Sequence, residues 1–141
     1  MIYWLTYAGL WLLALLPFKV LYILSDGLCF LMHHVVHYRR RVVRANLCNA
    51  FPEKSAAELR DIEREFYRYI CDYMLEEVKM LRMSFKELCR RMEYDNKEEY
   101  LAMIEKHGGI VLLIPHYANF EWITGMSSIM QEGDIPVQIY K

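Results

Sequence analysis

The sequence predicts an α/β protein in which N-terminal membrane-associated helices precede the first βαβ units of a parallel sheet, with the sheet incomplete within the chain. Residues 2–16 contain no charged side chain, which indicates a membrane-anchoring leader. The continuous apolar run at 110–114 is typical of a strand covered on both faces. From there the patterns alternate: strand 110–114, helix 119–131 and strand 135–140. We therefore assign residues 1–44 to anchoring and interfacial helices and residues 45–141 to the beginning of the α/β domain.

The leader is apolar up to Pro17. As a helix, residues 2–16 would reach about 22 Å, less than the roughly 30 Å hydrocarbon core of a bilayer. No basic residue precedes the run and no small-residue cleavage site follows it, so a signal peptide is disfavoured. A membrane anchor remains, and both a single span and an interfacial hairpin stay open for residues 2–36.

Residues 18–44 form an apolar helical pattern with one narrow polar stripe. The stripe consists of Lys19, Asp26, His33, His37, Arg41 and Arg44. Such a helix lies in a membrane interface or packs its stripe on the following domain. The i, i+4 spacing of His33 and His37 suits metal binding, but no third ligand accompanies them, so we predict no metal site.

Basic residues follow the leader at Arg39, Arg40, Arg41 and Arg44. The positive-inside tendency puts this junction, and the chain after it, in the cytoplasm. Arg39, Arg40 and Arg41 are candidates for contact with headgroup phosphates, with topological anchoring alone as the alternative. Because they adjoin a long apolar segment, a nucleic-acid interface is not expected. Cys29, Cys48, Cys71 and Cys89 have no metal-ligand spacing and are interpreted as reduced packing residues.

Helix signals dominate residues 55–107. Ser55 and Glu58 form a capping box that opens a long amphipathic helix. Its predicted core positions are Leu59, Ile62, Phe66, Ile70, Met74, Val78 and Leu81. Ser84 and Glu87 begin a short helix, a brief strand is predicted at 92–94, and Asn96 begins a third helix that ends at the two glycines 108–109.

His116 and Glu121 lie directly after the apolar run and its terminal Pro115. The carboxyl end of a parallel strand is where open α/β sheets bind ligands. A carboxylate five positions after the histidine, in the first turns of a helix, can orient the imidazole as a general base. The structural alternative is a histidine hydrogen-bonded at a helix N-terminus with a solvated first-turn acid.

Two blocks give a family resemblance. Residues 116–121, hereafter the 116–121 block, resemble the His-x4-Asp/Glu block of the lipid A biosynthesis acyltransferase family of Gram-negative bacteria, part of the lysophospholipid acyltransferase superfamily. His116, Asn119 and Glu121 match, whereas Ala118 and Phe120 replace the usual Gly and Trp. The upstream similarity comprises Tyr38, Arg39, Arg40, Asn46, Leu47, Ala50, Phe51 and Pro52.

The resemblance implies that a fatty acyl group passes from an acyl carrier protein thioester to a hydroxyl of a lipid A precursor, on the cytoplasmic face of the bacterial inner membrane. His116 would be the general base and Glu121 its orienting partner, with Asn119 in substrate binding. No metal or organic cofactor is implied. Residues 45–141 would be the N-terminal part of the acyltransferase domain, and we expect the chain to be a fragment with little activity alone.

Two alternatives stay open. One is acylation of another lipid acceptor, such as a lysophospholipid or an amino-acid lipid, by the same His-Glu chemistry. The other is a catalytically silent, membrane-tethered interaction fragment. The sequence does not specify the acyl chain length, the acceptor hydroxyl or the oligomeric state.

Overall fold

The computed structural model describes residues 2–128, which form helices joined by short connections. The α-helices are α1 Ile2–Leu15, α2 Phe18–Phe30, α3 Arg40–Ala50, α4 Ala56–Met80, α5 Phe85–Arg91 and α6 Lys97–His107; a π-helical segment spans Leu31–Val36 and a 3₁₀ helix spans Phe120–Ser128. The chain divides into two units, Met1–Arg82 and Met83–Lys141, hereafter the first and second units.

The predicted break at Pro17 is confirmed. Helix α1 ends at Leu15, and Pro17 is the N-cap residue of α2 with an extended backbone. Its ring fixes φ and its nitrogen has no proton to donate, which suits the start of a helix. The end of α1 is capped from a distance, because the Nζ of Lys79 donates to the carbonyls of Ala14 (2.8 Å) and Leu16 (2.7 Å).

The core of the first unit lies where α2 packs along α4. Helix α2 buries Phe18, Leu21 and Ser25. Helix α4 buries Glu63, Tyr67 and Cys71, which recur every fourth residue. Of the predicted core positions, Phe66, Met74 and Leu81 are exposed and the others are at most half-buried. The amphipathic helix was therefore predicted correctly, but its most buried stripe was not.

The apolar pattern at 18–44 does not form one continuous helix. After the π-helical segment, His37 and Arg39 adopt left-handed backbone conformations with φ of 53° and 50°. Two left-handed residues end a right-handed helix. The carbonyl of Tyr38 between them accepts a hydrogen bond from the hydroxyl of Tyr67 on α4. The chain thus turns into α3 while remaining attached to α4.

The local helix signals were mostly correct. The Ser55 side chain accepts from the backbone N–H of Glu58, and the Glu58 carboxylate accepts from the backbone N–H of Ser55, which completes the predicted capping box. Ser84 likewise accepts from the N–H of Glu87. Asn96 precedes α6 in a left-handed conformation without a side-chain cap. Helix α6 ends at Gly108, where the sequence predicted its end, and this glycine has a φ of 73°.

The predicted α/β fold class is wrong for the described residues, which contain no strand. The runs at 92–94 and 110–114 are extended or irregular but unpaired. Along the second run exposure alternates, and Val111 and Leu113 are 90% and 89% exposed. A strand requires hydrogen bonds from a neighbouring backbone, and no described segment supplies them. An apolar run specifies local extension without specifying a partner.

The predicted helix 119–131 begins as a 3₁₀ helix, Phe120–Ser128, and its last residues and the predicted strand 135–140 lie outside the described residues. The assignment of residues 1–44 to membrane anchoring and of 45–141 to a catalytic domain stays a prediction. The boundary between the two units of the structure lies between Arg82 and Met83, not at the predicted position 44/45.

Candidate functional site

The connection from the apolar run to the 3₁₀ helix is a tight turn. The N–H of Tyr117 donates to the carbonyl of Pro115 at 2.8 Å, which closes a three-residue turn around His116. Ala118 then adopts φ 53°, in the left-handed region that favours glycine. The N–H of Trp122 donates to the carbonyl of Asn119 at 3.0 Å and begins the helix. Backbone hydrogen bonds therefore fold the 116–121 block locally.

His116 lies on the surface of this turn. Its ring contacts that of Phe120, with centroids 4.4 Å apart and planes inclined at 58°. The contact restricts the imidazole from one side, and the residue as a whole is exposed. An exposed imidazole in this position is accessible to a bound molecule.

The 3₁₀ helix positions the other two predicted site residues. Asn119 and Glu121 are half-buried, and Trp122 beside them is buried. The helix packs on α5, where a Cβ added at Gly125 would lie 3.1 Å from Cγ of Leu88. Because glycine permits this close approach, the segment that carries Asn119 and Glu121 packs against α5 within the second unit.

The predicted substrate-binding arginines lie in the first unit and differ in their surroundings. Nε of Arg40 donates to the Glu63 carboxylate at 2.6 Å, and Nε of Arg44 donates to its other oxygen at 2.7 Å. Arg39 and Arg41 are exposed, and no carboxylate of the described residues pairs with them. The charge of Arg40 is thus already balanced within the protein, whereas those of Arg39 and Arg41 face solvent.

Glu63 is the charged residue that the sequence analysis missed. It is 2% exposed, and its Oε1 also lies 3.5 Å from Nε2 of His33. Burial by itself would raise the pKa of the Glu63 carboxyl, but the hydrogen bonds and charges of Arg44 and Arg40 outweigh it and hold that pKa below the ordinary value. The sequence did contain a signal for Glu63. The polar stripe of residues 18–44 carries basic side chains, so a helix that packs on the stripe has to supply an acidic partner.

His33 and His37, whose spacing was considered for metal binding, are separated by the end of the π-helical segment. The described residues contain no group of three or more His, Cys, Asp or Glu side chains that could hold a metal ion. Cys29, Cys48, Cys71 and Cys89 are all free thiols, and burial is the main cause that raises the pKa of Cys71 to about 11.

Comparison with known proteins places these residues in a family. The model of the family described as bacterial lipid A biosynthesis acyltransferase matches residues 1–135. The chain belongs to this family. It is also 29% identical over 122 residues to the lipid A biosynthesis lauroyltransferase of Escherichia coli (strain K12), an alignment that covers 84% of this chain and 40% of that protein. No solved structure matches the chain.

Membership in the lipid A biosynthesis acyltransferase family confirms the resemblance drawn from the two blocks, since the matched range includes both. The chain spans about two fifths of the length of the lauroyltransferase, which fits the expectation that it is a fragment. The roles of His116, Asn119, Glu121 and the three arginines stay predictions. Ala118 is notable within the family, because it replaces the usual Gly at a left-handed position.

Proposed function

We propose that the protein containing this chain transfers a fatty acyl group from acyl carrier protein to a hydroxyl of a lipid A precursor at the cytoplasmic face of the inner membrane. The observation that supports it most is the family match over residues 1–135, which includes the 116–121 block. The chemistry needs a base because a hydroxyl is a weak nucleophile at neutral pH. The exposed imidazole of His116 is accessible to such a hydroxyl.

In this proposal His116 accepts the proton of the acceptor hydroxyl as its oxygen attacks the thioester carbonyl. The tetrahedral intermediate then collapses, the carbon–sulfur bond breaks, and the imidazolium of His116 returns the proton to the sulfur, so that the carrier leaves as its thiol. Glu121 holds the imidazole tautomer and stabilises the imidazolium, as the acid does in catalytic triads. Asn119 and backbone N–H groups at the start of the 3₁₀ helix are the candidate donors to the oxyanion.

The arginines have a separate proposed role. Arg39, Arg40 and Arg41 meet the acceptor's headgroup phosphates, with Arg39 and Arg41 as the principal contacts because Glu63 already binds Arg40. Guanidinium groups bind phosphate oxygens through paired hydrogen bonds. This part of the proposal depends on the acceptor being an anionic lipid.

The direct test is a strain that lacks the gene, examined by mass spectrometry of its lipid A. Loss of one fatty acyl group from lipid A, restored by the intact gene, is the expected result. The purified protein should also transfer an acyl group from acyl carrier protein to a lipid A precursor in detergent micelles. Unchanged lipid A together with altered phospholipids or amino-acid lipids would contradict the acceptor, and no change in any lipid would contradict the enzymatic proposal.

A further inference from the structure

We propose that the helical stretch Phe18–Val36 does not cross the membrane but lies along its surface, with its outer side in the headgroup–acyl boundary of the bilayer and α4 on the water side. By length and composition this 19-residue stretch is a candidate span. The proposal concerns only the first unit and does not depend on the acyl transfer chemistry proposed above. It identifies a lipid surface as the partner of one side of α2.

The inner side of this stretch is attached to α4 at several points along its length. Near its start the hydroxyl of Tyr22 donates to Glu76 at 2.6 Å. In the middle, the Asp26 carboxylate lies 3.9 Å from Arg68. Near its end His33 is buried against Glu63. Helix α4 therefore accompanies α2 and the π-helical segment over most of their length.

Helix α4 is unsuited to the interior of a bilayer. Its 25 residues include eleven Asp, Glu, Arg and Lys side chains: Glu58, Arg60, Asp61, Glu63, Arg64, Glu65, Arg68, Asp72, Glu76, Glu77 and Lys79. Several of them are exposed on α4, including Asp61, Arg64 and Arg68. A crossing α2 would take these charges into hydrocarbon, where each is costly. The two helices can stay together only if α2 remains at the surface.

Apart from the exposed His34, whose ring contacts that of Phe30, the outer side of the stretch is apolar. Its exposed apolar residues are Val20, Ile23, Leu24, Phe30, Leu31 and Val35. Ile23 and Phe30 are 70% and 62% exposed. At 100° per residue, positions 20, 23, 24, 27, 30 and 31 share the side opposite Phe18, Leu21 and Ser25. Helices α2 and α4 together thus present one apolar side and one charged side, the arrangement of elements that lie in a membrane interface.

Charge and aromatic content favour a bilayer over a second protein copy on this surface. The stretch is followed by the exposed Arg39 and Arg41, which suit anionic headgroups. It is preceded by α1, which has no charged residue and whose first turns are exposed on all sides. Tyr3, Trp4 and Tyr7 cluster there, and such rings are enriched at membrane interfaces. At about 21 Å, α1 inserts without crossing.

The test uses the whole protein bound to vesicles of phosphatidylethanolamine and phosphatidylglycerol. Single tryptophans at Val20, Ile23, Phe30 and Val35, with the native tryptophans changed to phenylalanine, report depth through quenching by lipids brominated near the headgroup or near the chain end. We expect shallow quenching of similar strength at all four positions. The control is Tyr69→Trp on the exposed side of α4, which should respond to iodide in water and not to lipid bromines.

A depth profile that is deepest near Ile23 and Phe30 and shallow at both ends would overturn the proposal, because it describes a crossing helix. Absence of lipid quenching at all four positions, with or without dimer formation, would overturn it as well. As a second measurement, Ile23→Glu should lower vesicle binding about tenfold, whereas Tyr69→Glu should leave it unchanged. Equal binding of Ile23→Glu and the parent protein would count against the lipid surface.

Discussion

Glu63 in the first unit and His116 in the second are both titratable, and their surroundings differ in every respect. Glu63 is buried, and both of its oxygens accept hydrogen bonds from arginines of α3. His116 is exposed on a turn, and its described contact is with the ring of Phe120. Removing a buried carboxylate whose partners lie within the protein should affect the fold, whereas an exposed imidazole is accessible to another molecule. Each side of this comparison predicts which substitutions affect activity and which affect stability.

The largest expected effect is on turnover. His116→Ala should reduce acyl transfer about 10²- to 10⁴-fold, the usual value of general-base assistance, without a change in melting temperature. The matched control is His107→Ala, at the exposed end of α6, which should retain the parental rate. Specific activity and melting temperature are measured on the same preparations of the whole protein. Normal activity in His116→Ala would remove the catalytic role of the block.

Glu121→Gln should reduce turnover by about 10²-fold or more, because an amide preserves size but removes the charge that stabilises an imidazolium. Glu105→Gln, an exposed position on α6, serves as the control and should behave like the parent protein. The decisive comparison is kcat, since an orienting partner acts after substrate has bound. A change confined to KM would indicate that Glu121 binds substrate instead.

In the first unit the expected effect is on stability. Glu63→Gln leaves two guanidinium groups beside a neutral amide and should lower the free energy of unfolding by about 2–3 kcal/mol. The lower part of that range applies if Arg40 and Arg44 turn towards solvent. Glu65→Gln on the same helix should change it by less than about 0.5 kcal/mol. Urea unfolding followed by far-ultraviolet circular dichroism measures both, and equal stability of the two variants would contradict the role of the buried carboxylate.

The same carboxylate predicts a pH dependence. Because the folded-state pKa of Glu63 is held below its ordinary value of about 4.3, its contribution is fully present above that pH and is lost as pH falls through the folded-state pKa. Urea unfolding between neutral pH and about pH 3 should therefore show a smaller acid loss in Glu63→Gln than in the parent protein. Parallel curves for the two proteins would mean that the pKa of Glu63 is not depressed.

The smallest expected effect is at Ala118. Its left-handed backbone costs about 1 kcal/mol for a residue with a Cβ, so Ala118→Gly should stabilise the second unit by about 0.5 kcal/mol after the entropy of the more flexible unfolded chain is subtracted. Ala102→Gly, within α6, should have the opposite sign and cost about 1 kcal/mol. Thermal unfolding distinguishes them. Destabilisation by Ala118→Gly would show that the turn does not depend on this conformation.

How well the sequence predicted a feature depends on how far apart in the chain the interacting residues lie. The capping box of Ser55 and Glu58 acts over three residues, and its pattern identified it correctly. A strand pairs with a segment that is distant in the sequence. The apolar run at 110–114 therefore did not reveal whether a partner segment exists. The search for apolar residues on α4 passed over Glu63, because only the arginines 19 and 23 positions away make its burial favourable.

The site divides in the same way. The spacing of His116 and Glu121 identified the 116–121 block, since all of its residues belong to one short segment. The left-handed conformation of Ala118 was not predicted, because alanine gives no sign of it, although the family's usual Gly at this position was a hint. The sequence could not predict that Arg40 would differ from Arg39 and Arg41 in its surroundings. That difference depends on which arginine reaches Glu63.

Lys79 makes the cap at the end of α1 a late contact as the chain is synthesised. The carbonyls of Ala14 and Leu16 accept hydrogen bonds from Lys79, which is synthesised 65 and 63 residues after them. At typical translation rates of about 5–20 residues per second, that interval is roughly 3–13 s. Throughout that interval the end of α1 lacks this cap. The cap at the end of α1 therefore forms only after nearly the whole of α4 has been synthesised.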